Sequence, residues 1–314
     1  MRILIESHIP FIRGIAESAG HQVKYLEPDE FTPENVKDAD ALIIRTRTKC
    51  NASLLEGSKV KRIATATIGT DHIDLDYCSS HGIEVFNAPG CNAPGVAQYV
   101  LSIIARLKPD CQCIGIIGVG HVGSIVERWA RSNGLNVLLC DPPRAAVEGN
   151  EKFVSADEIA RRCDVITFHV PLDQTTHHMI NREWLSLVSP DALIINASRG
   201  SIADTQALLE APQTLAIDCW EGEPEINRGL LRKAAIATPH IAGYSLEGKQ
   251  RATAMALHAI LPEIEMSVPP VAESPSLTQI RESYDPVKDS EALKLNPSQF
   301  ERLRNQYDYR KEPS

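Results

Sequence analysis

The sequence predicts an α/β protein of two doubly wound parallel-sheet domains with a short C-terminal extension. Three observations carry this. Short apolar runs alternate with helix-like segments along most of the chain, the pattern of strands joined by crossover helices. One such unit holds a glycine pattern, Gly118-x-Gly120-x-x-Gly123, between strand and helix. The length of 314 residues exceeds one ordinary domain and suits two, each with its own core.

The glycine unit spans Cys113 to Asp141. An apolar run, Ile114 to Ile117, leads into the glycine turn; an amphipathic helix follows, and a second run, Asn136 to Cys140, ends on Asp141. That order is the dinucleotide fingerprint. Gly118 permits the tight turn, Gly120 lets backbone approach a pyrophosphate, and Gly123 lets helix and sheet pack closely. The amides of the helix N-terminus, including His121 and Val122, suit an anion there. Asp141 is expected to accept from ribose hydroxyls and to repel a 2′-phosphate, which favours NAD over NADP; Arg144, just beyond, is the one residue that could receive such a phosphate.

Composition sets limits. Apolar residues are 43% and charged residues 23% of the chain, as in globular proteins. The net charge of −9 argues against non-specific attraction to nucleic acid or anionic lipid. No membrane-spanning run or signal segment is visible. Eight cysteines are scattered without CxxC pairs, from which a reducing, cytoplasmic setting is expected. No metal site is expected, because the adjacent His177 and His178 have no cysteine or acid at ligand spacing in sequence.

Taken in order, Arg2 to Ile5, Val23 to Leu26, Ala41 to Ile44, Arg62 to Ala66 and Ile83 to Phe86 read as strands. Helices are expected near Ile9 to Ser18, Ala52 to Glu56 and Ile73 to Ser80, with a turn-rich stretch from Pro28 to Asp40. Residues 1–92 form a first domain without a glycine fingerprint, expected to bind substrate. Gly95 to Leu107 reads as an apolar helix connecting it to the cofactor domain, residues 93–243. Later strands are Val165 to Val170, Ala192 to Asn196, Leu215 to Asp218 and Ala235 to Thr238. A long helical pattern within 244–266 returns to the first domain. In the extension, 267–314, a proline- and serine-rich linker precedes one amphipathic segment, Pro297 to Tyr307.

Three loops carry candidate chemistry. Asn196-Ala-Ser-Arg199-Gly200 follows a strand, at the sheet edge where ligands bind, and a guanidinium there suits a carboxylate. Asp218 to Pro224 is acid-rich and by itself reads as solvated surface. Thr238-Pro239-His240 follows the last strand; Pro239 fixes the backbone and aims His240 at the same edge as Arg199. With one acid beside it, His240 would have the orienting partner that a general base needs.

The stretches GIIGVGHVG, LLCDPPR, INASRG, IDCWEGEP and TPHIAGYSLEGK, in this order, resemble the NAD-dependent D-2-hydroxyacid dehydrogenases. RILIESHIP, IIRTRTKCN, ATATIGTDHID and NAPGCNAPGVAQYV extend the likeness over about the first 265 residues, and FERLRNQY returns to it near the C-terminus. The resemblance implies a flavodoxin-like substrate domain, discontinuous in sequence and hinged to a Rossmann NAD-binding domain, with the extension a shortened dimerisation region of a homodimer. It places the catalytic residues at Arg199, Glu223 and His240. NAD contacts fall on the Gly118 to Gly123 loop, Asp141, Val170, Asp218 and Gly243. Substrate contacts fall on Thr46, Thr67 and Tyr244.

The chemistry implied is oxidation of a small 2-hydroxy acid. Arg199 would clamp the carboxylate, His240 would take the hydroxyl proton, and Glu223 would hold the imidazole and stabilise its charged form. The branch marked by LCDPPRA and HIAGYSLEGK implies a phosphorylated substrate. Arg45, Arg47 and Lys49 alternate at the end of a strand, so they would share one face, with Arg45 expected to meet the phosphate. Two other readings remain: a relative acting on glycerate, hydroxypyruvate or 3-phosphoglycerate, and a non-catalytic NAD-responsive scaffold.

Overall fold

The computed structural model describes residues 1–314. The chain divides into two compact units, residues 1–92 with 246–270, and 93–245 with 271–314. Both sheets are entirely parallel.

In the first unit, β1 (Arg2–Glu6), β2 (Gln22–Leu26), β3 (Ala41–Ile44), β4 (Arg62–Thr65) and β5 (Glu84–Phe86) form a sheet of order β2-β1-β3-β4-β5. This is the flavodoxin-like order. Short helices α1 (Ile15–Ser18), α2 (Pro33–Val36), α3 (Ala52–Leu55) and α4 (Leu75–Ser80) join the strands. Asn51 and Asp74 cap α3 and α4 by accepting from Leu54 N and Tyr77 N. The sheet is buried on both faces. One core includes Leu4, Leu42, Ile44 and Leu54; the other includes Ile3, Ile43 and Leu257 of the returning helix.

The helix expected over Ile9 to Ser18 forms only as α1. Phe11 (φ 63°) and Gly14 (φ 81°) adopt left-handed backbone, and Pro10 supplies no amide. Ile9 and Ile12 are buried all the same. Their spacing reported burial, not helix.

The second unit begins with α5 (Ala93–Leu107), which packs on α6. Then come β6 (Cys113–Ile117), α6 (His121–Ser132), β7 (Asn136–Cys140), α7 (Pro142–Glu148), α8 (Ala156–Arg162), β8 (Val165–Phe168), α9 (Arg182–Leu185) and β9 (Leu193–Asn196). They are followed by α10 (Thr205–Glu210), β10 (Thr214–Ile217), α11 (Arg228–Lys233) and β11 (Ile236–Ala237). The sheet order is β11-β10-β9-β8-β6-β7. Beyond β7 a single bridge, Leu139 to Phe153, stands where dinucleotide-binding sheets carry a further strand. The order reverses between β6 and β8, so a crevice opens at the carboxyl ends of those two strands.

Helix α12 (Leu246–Ile260) belongs to the first unit, and Pro262 follows it closely. The tail forms α13 (Leu277–Ser283), α14 (Pro286–Leu295) and α15 (Phe300–Asn305) on the second unit. The first two carry no clear helical pattern in the sequence, where a proline- and serine-rich linker is expected. Ile280 and Tyr284 enter one core of that unit, while Leu293 and Phe300 enter the other. Trp129 of α6, fully buried, donates its Nε1 to the Ala272 carbonyl at 3.1 Å, tying the start of the tail to the sheet. No helix is long and apolar enough to cross a membrane.

Candidate active site

Every loop leaving the carboxyl edge of the second sheet carries a residue singled out above. The turn after β6 shows why its glycines are there. A Cβ on Gly118, whose φ is 88°, would lie 2.7 Å from the His169 carbonyl group of the loop after β8. A Cβ on Gly123 would lie 2.1 Å from the Gly118 carbonyl oxygen. Around Gly120 there is only open space, so a phosphate could reach the backbone there. Gly120 caps α6 without any side-chain bond, which leaves the first amides of the helix available to an anion. His121 is exposed and Val122 half-buried at that first turn.

Asp141 follows β7 and caps α7. Its Oδ2 accepts from Val119 N at 2.7 Å and its Oδ1 from Arg144 N at 3.0 Å, so each oxygen keeps a lone pair for a ribose hydroxyl. Arg144 is occupied elsewhere. Its Nε and Nη2 grip Glu148 at 2.6 and 2.9 Å, and Nη1 donates to the Val119 carbonyl at 2.6 Å. Glu148 therefore takes the cation that a 2′-phosphate would need. Val170 is half-buried beside Gly118. The residues present fit NAD.

Asp218 follows β10 and is buried, 1% exposed. Its Oδ1 accepts from Thr238 Oγ1 (2.6 Å) and Ile241 N (2.8 Å), and its Oδ2 from Ala242 N (2.9 Å). Burial pushes this carboxyl up, against the pull of His240, the Thr238 hydroxyl and the two amides. Asp218 thus ties the loop after β11 to the loop after β10. Gly243 lies within the loop so tied, half-buried.

His240 sits at the head of that loop with φ 58°, a conformation non-glycine residues seldom adopt. Its Nδ1 lies 2.8 Å from Glu223 Oε2. Glu223 Oε1 accepts from Trp220 N at 2.7 Å, so the carboxylate is fixed at both ends. The His240 and Glu223 side chains are 30% and 19% exposed. Nδ1 is spoken for, and the other ring nitrogen can exchange a proton with a ligand.

Arg199 follows β9. Asn196 braces its loop by donating Nδ2 to the Arg199 carbonyl (3.0 Å) and accepting from Ser198 N (3.2 Å). Gly200 lets this loop touch the next: a Cβ there would lie 2.0 Å from the Trp220 carbonyl oxygen. Cys219 links the Arg199 loop to the pair. Its sulfur and donor atoms of Glu223 and His240 lie within 4.8 Å of one another. Burial pushes its thiol well up, Asp218 and Glu223 add to this, and the charges of Arg199 and Arg304 oppose it. The Cys219 thiol and Arg199 Nη1 both donate to the Ser198 carbonyl, at 3.3 and 2.8 Å, so the Arg199 loop lies against the cluster that holds His240. Tyr244 receives a hydrogen bond from Arg304 Nε (3.3 Å) and stands edge-on to Tyr307 and Tyr309.

A second histidine–glutamate pair comes from the same loop. His178 Nε2 lies 2.6 Å from Glu221 Oε1, and Glu221 Oε2 accepts from Thr205 Oγ1 at 2.7 Å. Burial raises the Glu221 carboxyl, but the His178 and Thr205 hydrogen bonds outweigh it and leave it lowered. This corrects the expectation that His177 and His178 have no acid nearby. Glu221, distant in sequence, brings a third ligand atom within 4.8 Å of theirs.

In the first unit, Thr46 is exposed, and the Thr67 hydroxyl donates to the Gly69 carbonyl (3.1 Å) while sharing a 2.6 Å bond with Thr65. Arg45, Arg47 and Lys49 do not share a strand face. β3 stops at Ile44 because buried Glu6 captures Arg45 N (2.9 Å) and Thr48 Oγ1 (2.8 Å), which curls 45–49 into a turn. Arg45 Nη1 donates to the His8 carbonyl at 3.0 Å.

Residues 105–242 match the family model for the NAD-binding domain of D-isomer specific 2-hydroxyacid dehydrogenases. The chain is 47% identical to an erythronate-4-phosphate dehydrogenase of Bacteroides thetaiotaomicron, over 99% of this chain and 97% of that one. It is 40% identical to the protein of that name from Porphyromonas gingivalis, over 99% and 94%. Among solved structures, an NAD+-bound 3-phosphoglycerate dehydrogenase from Entamoeba histolytica superposes with a TM-score of 0.69 at 29% identity, covering 83% of this chain and 94% of that one. A D-lactate dehydrogenase from Aquifex aeolicus, complexed with NAD and lactic acid, gives 0.67 at 27%, with the same coverage. The chain belongs to the D-isomer-specific 2-hydroxyacid dehydrogenase family, and it is an NAD-dependent oxidoreductase. Within that family it is similar to the erythronate-4-phosphate dehydrogenases over nearly its whole length.

Proposed function

We propose that the chain oxidises 4-phospho-D-erythronate to 2-oxo-3-hydroxy-4-phosphobutanoate with NAD, a step of pyridoxal 5′-phosphate synthesis, as a cytoplasmic homodimer. Nearly full-length identity of 47% to a relative of that name is the observation that carries the reading. The 2.8 Å pair of His240 and Glu223 supports the chemistry.

The Gly118 to Gly123 loop, Asp141, Val170, Asp218 and Gly243 hold NAD, which when bound supplies the hydride acceptor. Arg199 pairs with the substrate carboxylate through parallel hydrogen bonds. His240 takes the proton of the 2-hydroxyl on the ring nitrogen that Glu223 does not hold. Glu223 fixes the ring and stabilises the imidazolium formed, while the Trp220 amide keeps the carboxylate from turning. Thr46, Thr67, Tyr244 and Arg45 serve as substrate contacts.

The test is NADH formation from 4-phospho-D-erythronate beside D-glycerate and 3-phospho-D-glycerate. A kcat/KM at least about tenfold higher for the first is expected, since one charge-assisted contact is worth that much. A preference for either glycerate would replace the substrate but keep the reaction class. NAD binding without oxidation of any hydroxy acid would leave a scaffold.

A further inference from the structure

The C-terminal tail is fastened to the active-site loop by one buried arginine. Arg310, 9% exposed, donates to the carbonyls of Gly95 (3.0 Å), Ile241 (3.0 Å), Tyr244 (3.2 Å) and Ala242, and through Nε to Gln98 Oε1 (2.9 Å). Its guanidinium lies 4.2 Å from the centre of the Tyr284 ring. Three of the four carbonyls belong to the loop that bears His240, so the register of the tail against that loop is fixed.

Arg304, six residues earlier on the chain and in the last turn of α15, is placed by this anchor. Its Nε donates to Tyr244 Oη at 3.3 Å, and its side chain is 25% exposed. Its Nη1 is 3.6 Å from Glu301 Oε1, an ion pair longer than a hydrogen bond, and the Glu301 side chain is 45% exposed. Burial lowers its pKa, but Tyr244, Glu223 and Glu301 more than reverse this, so the charge is permanent. A largely enclosed cation whose one ion-pair partner is long and half-exposed has charge and donors left to offer a bound anion. Arg304 also stands in electrostatic reach of Glu223 and of Cys219, which lies against His240.

We propose that Arg304, braced by Tyr244, is the binding subsite for the phosphate end of the substrate, supplied by the C-terminal tail. The proposal rests on the phosphorylated-substrate reading above and assigns it a residue. Arg199 holds the carboxylate; the phosphate at the far end of the substrate needs a second cation, and Arg304 has donors to give. The turn at 45–49 already spends one arm of Arg45 on the His8 carbonyl.

The experiment compares wild type, Arg304→Gln and Arg304→Lys on 4-phospho-D-erythronate and on D-erythronate, with NAD affinity as the check on folding. Arg304→Gln is expected to lower kcat/KM for the phosphorylated acid about 10- to 150-fold, mostly through KM, and to leave D-erythronate within about twofold. Arg304→Lys is expected to recover part of the loss. Equal losses on both substrates, or no loss on either, would overturn the proposal. In parallel, inorganic phosphate is titrated as a competitive inhibitor of whichever 2-hydroxy acid the wild type oxidises. Inhibition that weakens at least about tenfold in Arg304→Gln supports the subsite even if 4-phospho-D-erythronate proves not to be the substrate. Inhibition equal in both proteins rejects it.

Discussion

Two histidine–glutamate pairs hang from one seven-residue loop, Asp218 to Pro224, and they differ in which ring nitrogen is left open. In both, the histidine has left-handed backbone, φ 58° at His240 and 51° at His178. In both, the glutamate uses its second oxygen to grip the protein, Glu223 at the Trp220 amide and Glu221 at the Thr205 hydroxyl. The difference lies in what surrounds the ring. His178 is stacked on His177 at 4.0 Å between centroids, and the nitrogen it gives to Glu221 is Nε2. His240 uses Nδ1, which leaves the outer nitrogen, Nε2, for a ligand at the sheet edge. The same contact thus clamps a loop in one place and, under the proposed function, aims a base in the other.

The largest expected effect breaks the reactive pair. His240→Ala should lower kcat by about 10²–10⁴-fold while NAD affinity, read by fluorescence titration, stays within about twofold. An unchanged kcat removes His240 from the mechanism. Glu223→Gln should cost about 10²-fold, because the amide cannot stabilise the imidazolium, and the pH profile of kcat/KM should shift. If Glu221→Gln matched it in kcat, the distinction between the pairs would collapse.

For Glu221→Gln the expected loss is instead in stability. Removing the charge from the His178 and Thr205 bonds should cost about 1–3 kcal/mol, read as a lowered urea midpoint, with kcat changed less than about tenfold. The smallest effect uses a third histidine. Burial lowers His169 to about 3, while the unfolded chain has the ordinary value near 6.5. The unfolded state therefore binds the proton first as pH falls. The stability tied to neutral His169 is complete above about pH 6.5 and is lost progressively towards pH 3. His169→Gln, which keeps a partner for the Thr167 hydroxyl, should flatten the fall of Tm between pH 6.5 and 4. An unchanged slope would assign the acid sensitivity to other groups.

Much of the scaffold was legible because local chemistry carries it. The apolar runs mark every strand of both sheets, and the three glycines of the cofactor turn are required by contacts within one β-α unit. Arg199 and His240 were legible as residues just past strands. What the sequence could not show depends on groups far apart along it. Glu221 meets His178 across 43 positions, and nothing in the THHM stretch hints at a carboxylate. The turn at 45–49 depends on buried Glu6, 39 positions away from Arg45. Arg304 and Arg310 sit in a polar tail that reads as surface. Only Phe300, Leu303 and Tyr307, at helical spacing, signalled that this tail docks. Leu293 and Phe300 do so in one core, and Ile280 and Tyr284 in the other.

The cysteines have a practical corollary. All eight are reduced, seven are buried, and only Cys113 is partly reachable, with its sulfur 3.5 Å from that of Cys163. Burial pushes Cys50 and Cys111 up to about 12 and Cys140 to about 11, so almost none of these groups is a thiolate at neutral pH. Alkylating reagents should therefore leave the native enzyme nearly unlabelled and mark an opened chain at many positions. The mass added by iodoacetamide would then count molecules that have lost their tertiary structure, with no dye or engineered tag.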